Sequence, residues 1–276
     1  MVKKLLDLLK KVSIQEPEKY RDFWRSFGQV IKEGPAEDYE NKQRISNLLR
    51  FSSTHSDIDD SKVSFEDYLS RMKSDQKYIY YITSESFNAA RNNPQLEIFR
   101  KKSVEVLLLS DRVDEWMISH LDEVQGKKLK SITKGNLDLG SIQEDSEKKL
   151  HEATREKFKD VLTQMKKVLG DRVSEVNIST RLTNSPSCIV VSENGMSMHL
   201  QKMMSDAGRS PVTNNNKPSL EINFKHQLII EKIKNNPKEE SFSDWTHILY
   251  NQALLSEGAQ LEDPSSFVVL LNKYLN

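Results

Sequence analysis

The chain has 276 residues, which is enough for one large domain or two ordinary ones. Charged residues make up 30% of it and hydrophobic residues 36%, with only 9 Gly and 8 Pro, so collagen-like and low-complexity chains are excluded. The 41 basic and 41 acidic residues give a formal net charge of zero. A generally basic nucleic-acid-binding protein is therefore not expected.

Cysteine content and apolar runs bear on the cellular compartment. Cys188 is the only cysteine, so no intrachain disulfide can form, and the composition fits a reducing cytoplasm. No apolar run approaches the roughly 20 residues that cross a bilayer, and the first twelve residues are too charged for a signal peptide. We expect a cytoplasmic protein without a membrane partner.

The first third of the chain is predicted to be mainly helical. Apolar residues recur at steps of three and four over 20–31, which indicates a helix with one apolar face that stops at Pro35. A further helix is expected over 36–51, followed by a polar loop over 52–62. Ser64 then has the position of an N-cap for a short helix.

Strand patterns and helical patterns alternate over the next seventy residues. Short aromatic or β-branched runs predict strands at 78–82, 104–109 and 129–133. Helices are expected between them, over 84–102 and 111–124. This order predicts a small, helix-flanked parallel sheet with right-handed crossovers.

A polar stretch with two glycines, residues 134–145, is predicted to separate two domains, 1–140 and 141–276. The second domain is expected to contain a charged helix that ends at Gly170, strands at 173–180, 187–192 and 220–224, a helix at 196–207, an Asn-rich loop near 214, and two closing helices at 241–257 and 264–275. The predicted fold class is therefore α/β plus α+β. The second, mixed domain ends in a helical bundle.

Residue patterns for catalysis are incomplete. The six histidines lie far apart in sequence, and none has metal-ligand spacing to another histidine or to Cys188. Gly135 and Gly140 match half of a phosphate-binding loop, but the lysine that would reach the phosphates is missing. We predict no catalytic residue, metal or cofactor in this chain. A small α/β enzyme with a cleft at the 77–133 sheet stays open as an alternative.

Two segments carry apolar residues that a simple core does not explain. Trp116 and Met117 are neighbours on a predicted helix, so their side chains point in different directions, and one of them should be partly exposed. Four of the 8 Met lie in the 196–207 helix, and methionine suits adaptable binding surfaces. Met196, Leu200 and Met203 form one stripe of this helix, and Met198 and Met204 widen it. Ordinary core packing is the alternative for both segments.

The two closing helices carry more apolar surface than two short helices can cover by themselves. Either the preceding domain covers this surface, or a second copy does so in a two-fold symmetric bundle. The residues concerned are Trp245, Ile248, Leu249, Ala253, Leu254, Leu255, Phe267, Val268, Leu270, Leu271, Tyr274 and Leu275.

Several long motifs resemble one protein family. They are Lys32-Glu-Gly-Pro-Ala-Glu-Asp, Leu48-Leu-Arg-Phe, Tyr68-Leu-Ser-Arg-Met-Lys, Tyr78-Ile-Tyr-Tyr-Ile-Thr, Arg181-Leu-Thr-Asn-Ser-Pro, Leu254-Leu-Ser-Glu-Gly and Glu262-Asp-Pro. They resemble the heat-shock protein 90 chaperone family, and its bacterial branch in particular. The resemblance runs from end to end but covers only the last part of the family's sequence. It implies the distal middle domain over 1–140, with a small α/β subdomain from about residue 64, and the C-terminal dimerisation domain over 141–276.

The resemblance also implies a function. Family members are homodimers held by their last two helices, which implies dimerisation through the closing helices, and they bind non-native client proteins. ATP and Mg²⁺ bind in an N-terminal ATPase domain that precedes the matched region, so this chain is expected not to hydrolyse ATP and to work with that domain in the full-length protein. Carried over by motif, the client-binding residues are Trp116, Met117, Ser119, Met196, Leu200, Met203 and Met204. Relatives often have Asn at the position of Ser119 and an aromatic residue at that of Met204. The chain end lacks the acidic tail of the eukaryotic cytosolic branch, which favours a bacterial cytoplasmic protein.

Overall fold

The structure is a computed structural model that describes residues 2–137, 145–209, 217–234 and 240–275. Two compact units are present. The first consists of Met1–Arg91 and Ser103–Ser131, and the second of Asn92–Lys102 and Ile132–Asn276. The expected boundary at residues 140–141 and the Asn-rich loop near 214 lie outside the described residues, and the domain assignment stays a prediction.

Helices and short strands make up most of both units. The helices are α1 (Val2–Gln15), α2 (Pro17–Glu37), α3 (Lys42–Ser46), α4 (Phe65–Arg71), α5 (Phe87–Arg91), α6 (Glu97–Lys101), α7 (Asp114–His120), α8 (Asp145–Lys157), α9 (Lys159–Leu169), α10 (Met198–Asp206), α11 (Gln227–Ile229), α12 (Glu240–Ser256) and α13 (Pro264–Asn272). The strands are β1 (Ser52–Ser53), β2 (Tyr78–Thr83), β3 (Leu107–Leu109), β4 (Glu123–Val124), β5 (Lys127–Ser131), β6 (Val176–Ile178), β7 (Ser187–Val190) and β8 (Ser219–Ile222). Short 3₁₀ segments lie at Tyr39–Asn41, Pro94–Leu96 and Gly170–Arg172, and a π-helical turn follows α11 at Ile230–Lys234.

The sheet of the first unit is mixed, whereas the sequence predicted a parallel one. Its strand order is β1-β3-β2-β5-β4. The three predicted strands, β2, β3 and β5, are parallel, with Tyr81 opposite Leu107 and Ile79 opposite Leu129. The antiparallel edge strands β1 and β4 are two residues long and come from segments that the pattern predicted as a loop and as part of a helix. Such short strands carry no periodic signal of their own.

The helices of the first unit differ from the expectation near Pro35. Helix α2 continues through this buried proline to Glu37, although a proline inside a helix removes one hydrogen bond and crowds the carbonyl four residues before it. The Asp38 N–H closes the helix on the Gly34 carbonyl at 2.9 Å. The predicted helix over 36–51 shortens to a 3₁₀ turn and α3, since the Asp38 carboxylate accepts the Asn41 N–H and starts a new turn there.

The N-terminus of α4 agrees with its prediction. The Ser64 hydroxyl accepts the Asp67 N–H at 3.1 Å, and the Asp67 carboxylate accepts the Ser64 N–H at 2.9 Å. The two residues thus satisfy each other's free donors in a capping box. Ser64 as N-cap is confirmed.

The second unit has a three-stranded sheet of order β6-β8-β7, in which β6 is parallel and β7 antiparallel to β8. Helix α12 packs against β7 and α9. The predicted charged helix is broken at Phe158 into α8 and α9, and it ends at Gly170, whose φ of +53° suits glycine. The two closing helices agree with α12 and α13.

Candidate functional site

Helix α7 exposes one of the two neighbouring apolar residues and buries the other. Trp116 is 52% exposed, whereas Met117 is fully buried in the core of the first unit. The expected divergence of the two side chains is confirmed. The structure contradicts the prediction of Met117 as a client-contact residue, because its side chain packs against the unit's own core and offers no surface to a partner.

The exposed indole of Trp116 has a polar and aromatic border. The His120 ring lies with its centroid 4.4 Å from that of Trp116. The Ser119 hydroxyl donates to the Trp116 carbonyl at 2.7 Å and lies 3.0 Å from His120 Nδ1. The exposed residues Trp116 and Ser119 and the half-buried His120 thus share one face of α7. The sequence reasoning missed His120, although it stands four residues after Trp116 on the same side of the helix.

The opposite side of α7 begins with a buried ion cluster. The Lys32 ammonium on α2 lies 2.7 Å from Asp111 Oδ2 and 2.8 Å from Asp114 Oδ1. Lys32 and Asp114 are both buried. Burial raises the pKa of the Asp114 carboxyl, and the positive charge of Lys32 opposes that shift.

The methionine-rich helix α10 is only partly covered. The Ser197 hydroxyl accepts the Leu200 N–H at 3.1 Å and so begins the helix. No residue of α10 is fully buried. The four predicted contact residues are half-buried: Met196, Leu200, Met203 and Met204. They are therefore neither ordinary core nor freely exposed.

A cavity of about 650 Å³ separates α10 from α12 and α13. Its volume is within the range of small-ligand sites, about 300–1,000 Å³, and its wall mixes apolar and polar side chains. Lining residues include Met198, Lys202, His247, Leu254, Phe267 and Leu270. The side of α10 that carries Met198 and Lys202 thus faces this gap.

Helix α13 is tied to α12 at its end. The Asp244 carboxylate accepts from Lys273 Nζ at 2.8 Å and from the Tyr274 hydroxyl at 2.7 Å. These hydrogen bonds hold the pKa of Asp244 below its usual value. The ring of Tyr274 lies 4.9 Å, centroid to centroid, from that of Trp245. The two closing helices therefore form a single hairpin.

The predicted dimerisation residues fall into two groups. Ile248 and Leu249 are buried inside the second unit, because α12 turns this side toward β7 and the unit's own core. The structure therefore contradicts their prediction as direct dimer contacts. The half-buried or exposed ones are Trp245, Leu254, Leu255, Phe267, Leu270, Leu271 and Tyr274.

The most exposed apolar residues of the hairpin include Val268 and Leu275, which the sequence analysis counted among the apolar residues of the closing helices, and Val269, which it did not. Val269 is 70% exposed and Leu275 is 76% exposed, and Val268 is also exposed. The signal for Val269 is the uninterrupted apolar run 267–271, because a helix that is apolar on all sides requires cover on all sides.

Neither a cluster of metal ligands nor a membrane-spanning helix is present in the part of the chain that the structure describes. No three His, Cys, Asp or Glu side chains lie together there as metal ligands would. None of the described helices combines the length and the apolar character that crossing a membrane requires.

The chain was compared with known proteins. The family model of the Hsp90 protein matches residues 1–276. Relatives described as chaperone protein HtpG are 51% identical in Coxiella burnetii and 52% identical in Alkalilimnicola ehrlichii, each over 99% of this chain. In Burkholderia ambifaria the identity is 50% over the whole chain. The chain belongs to the Hsp90 family.

The Hsp90 relatives are longer than this chain. It spans about 43% of the length of the HtpG proteins from Coxiella burnetii and Burkholderia ambifaria. These relatives are bacterial chaperones, and the comparisons give no support to the alternative of a small α/β enzyme. Cys188 is also unsuited to act as a catalytic nucleophile, since it is buried in the β-sheet and burial raises the pKa of its thiol well above the ordinary value.

The Hsp90-like motif that begins at Arg181 forms a buried polar network in the second unit. The fully buried guanidinium donates to Glu221 at 3.1 Å, to Gln95 at 3.0 Å and to the Gly135 carbonyl at 2.8 Å. Gln95 in turn donates to the Glu257 carboxylate at 2.7 Å. The network thus joins Glu257, the residue directly after α12, to the 3₁₀ turn that precedes α6.

The contact segments expected from the Hsp90 resemblance lie in different compact units. Trp116 and Ser119 belong to the first unit, and the predicted residues of α10 belong to the second. Each segment is presented at the surface of its own unit. The dimerisation hairpin α12–α13 belongs to the second unit as well.

Proposed function

We propose that this chain is the dimerising and client-binding part of a longer ATP-dependent chaperone. Membership of the Hsp90 family and the HtpG relatives support a chaperone function. The observation that carries the proposal is the apolar outer side of the α12–α13 hairpin, where Val269 and Leu275 are among the most exposed large apolar side chains.

A second copy of the chain is the proposed partner of this hairpin. Two hairpins related by a two-fold axis would pack as four helices, and the same patch would meet itself. Leu255, Val268 and Val269 would then be covered, while Ile248 and Leu249 would continue to support the hairpin from inside. Soluble proteins bury such contiguous apolar patches against partners.

The oligomeric state tests this part of the proposal. Val269→Asp and Leu255→Asp change exposed residues, so each unit is expected to stay folded while the dimer weakens, because an unpaired charge at a buried interface costs several kcal/mol. Leu5→Asp, on exposed α1, is the matched control. Light scattering at micromolar concentration is expected to give twice the monomer mass for the wild type and the control. Dimeric mass in both hairpin variants would contradict the interface.

Non-native proteins are the proposed clients of Trp116 and α10. A large exposed aromatic residue is a typical binding anchor, and methionine side chains adapt to varied apolar partners. Each contact is weak by itself. A dimer would present each segment twice, and linked weak contacts gain affinity through effective concentration.

The client proposal is tested by comparing two exposed aromatic residues. Trp116→Arg is expected to weaken binding of an unfolded probe, reduced carboxymethylated α-lactalbumin, by about tenfold, which corresponds to about 1.4 kcal/mol. Phe27→Arg, at a comparably exposed position of the same unit, should leave binding unchanged. Met203→Glu tests α10 in the same assay. Equal affinities for Trp116→Arg and wild type, with both proteins folded, would refute the role of Trp116.

ATP and Mg²⁺ are proposed to bind in a part of the full-length protein outside this chain, and the site of action is proposed to be the bacterial cytoplasm. Calorimetry with Mg-ATP tests the first point. This chain is expected to give no saturable heat. Micromolar binding with turnover would instead revive the alternative of an enzyme.

A further inference from the structure

Lys32 is an unusual residue in the first unit, because lysine is almost never fully buried without partners. Its side chain contacts two carboxylates, those of Asp111 and Asp114, at 2.7 and 2.8 Å. Its ammonium also lies 5.3 Å from the centroid of the Phe51 ring, and Gln29 donates to Asp111 at 3.3 Å. The lysine thus joins the middle of α2 to the start of α7.

Asp114 is the first residue of α7 and the polar residue at which the buried side of this helix begins. Its Oδ2 accepts the Asp111 N–H at 2.9 Å. Met117 follows three residues later and Leu121 four residues after that, and both are fully buried. Asp114 and Met117 therefore share the side of α7 that faces the unit, and Leu121, the residue directly after the helix, is buried as well.

A helix as short as α7 does not hold its own orientation. It has seven residues, and isolated helices of this length are not stable in water, so tertiary contacts fix the position. Successive residues are about 100° apart around the axis. A rotation by one residue would carry Trp116 from the solvent toward the core.

We propose that Lys32 is the positioning residue of the Trp116 contact surface. Its ion pairs with Asp111 and Asp114 set the rotation of α7 at its first turn, and Met117 fixes it one turn later. The indole and its Ser119–His120 border then stand in the solvent. This inference rests on the proposed client role of Trp116, and it gives a function to the Lys32-Glu-Gly-Pro motif.

The test removes the positive charge of Lys32 and follows the environment of the Trp116 side chain through its ¹⁹F signal. Protein that contains 5-fluorotryptophan gives separate ¹⁹F signals for Trp24, Trp116 and Trp245, with Trp245 of the second unit as internal reference. In Lys32→Met the Trp116 signal is expected to shift and broaden, and the affinity for the unfolded probe is expected to fall by about tenfold. Lys32→Arg retains the charge and should restore both properties.

Lys42→Met is the matched control. Lys42 also pairs with an aspartate next to α7, Asp122 at 3.5 Å, but that carboxylate is exposed. Its loss should change neither the ¹⁹F signal nor the affinity. Asp114→Asn is the second variant if Lys32→Met does not fold, because the amide oxygen can still accept the Asp111 N–H while the charge is lost. The same signal shift and loss of affinity are expected.

A folded Lys32→Met or Asp114→Asn protein with unchanged Trp116 signal and unchanged affinity would overturn the positioning role. An equal effect of Lys42→Met would overturn it too, since any ion pair near α7 would then suffice. The proposed function fails separately, when Trp116→Arg itself leaves affinity unchanged. In that case the ¹⁹F signal still reports whether Lys32 sets the orientation of α7.

Discussion

Replacing Arg181 by methionine is expected to be among the most destabilising single changes in the second unit. The guanidinium is fully buried and donates to Glu221, to Gln95 and to two backbone carbonyls, those of Ile132 and Gly135. Methionine fills much of the volume but supplies no donor. Among the described residues, the buried Glu221 carboxylate then keeps one hydrogen-bond donor, the Ser179 hydroxyl at 2.9 Å.

The magnitude follows from the charge that is left behind. Breaking a buried ion pair by removing one partner costs about 3–5 kcal/mol, which is a large part of the total stability of about 5–15 kcal/mol of a typical protein. Removing both charges, in Arg181→Met with Glu221→Leu, leaves no unpaired carboxylate at position 221. Only hydrogen-bond partners then lose their donors, at about 1–3 kcal/mol. The double variant should therefore be more stable than Arg181→Met.

Urea unfolding measures the difference. The fluorescence of Trp245, in a background where Trp24 and Trp116 are phenylalanine, reports on the second unit. The free energy of unfolding is compared at a constant m value. Arg100→Met, at an exposed position of the same unit, should stay within about 0.5 kcal/mol of the wild type. A loss below about 1 kcal/mol in Arg181→Met, or a double variant less stable than the single one, would refute the role of the buried charge.

Two other hydrogen-bond centres give further expectations. The buried Tyr68 hydroxyl donates to the Glu105 carbonyl at 2.7 Å and accepts from Gln76 and the Tyr80 N–H. Tyr68→Phe should therefore lower the free energy of unfolding by about 1–3 kcal/mol. The control Tyr39→Phe, at a highly exposed position, should change this free energy little. Burial alone would raise the pKa of the Glu97 carboxyl, but hydrogen bonds from Ser185, Asn184 and Thr183 outweigh burial and hold the pKa below the usual 4.5. The stability that Glu97 contributes is therefore present above pH 4.5 and is lost as the pH falls through the lower folded-state value. Glu97→Gln should lower the melting temperature at pH 7 and flatten its decline in acid; an unchanged acid decline would contradict this.

Local sequence patterns predicted the elements whose structure depends on near neighbours. The apolar spacing in the closing segments predicted helices, and α12 and α13 are there. Ser64 predicted a helix start, because its partner Asp67 is only three residues away. The parallel core strands β2, β3 and β5 were likewise visible as apolar or aromatic runs.

Elements without such a signal were missed or misjudged. β1 and β4 have two residues each and exist because a neighbouring strand offers free hydrogen-bonding groups. Proline at position 35 suggested a helix end, but the buried packing of α2 extends the helix beyond it. Tertiary contacts override local preference in both cases.

The sequence by itself determined where the long amphipathic helices lie, which strands form the parallel core, and that the chain carries apolar residues in excess of one simple core. Only the tertiary structure decided which of those residues are covered. Met117 and Trp116 are adjacent, and so are Leu254 and Leu255, yet one residue of each pair is more deeply covered than the other. Helical spacing depends on atoms a few residues apart, whereas burial depends on surfaces that come from distant parts of the chain. Lys32 and Asp114 are more than eighty positions apart, so their ion pair becomes visible only when α2 and α7 pack together.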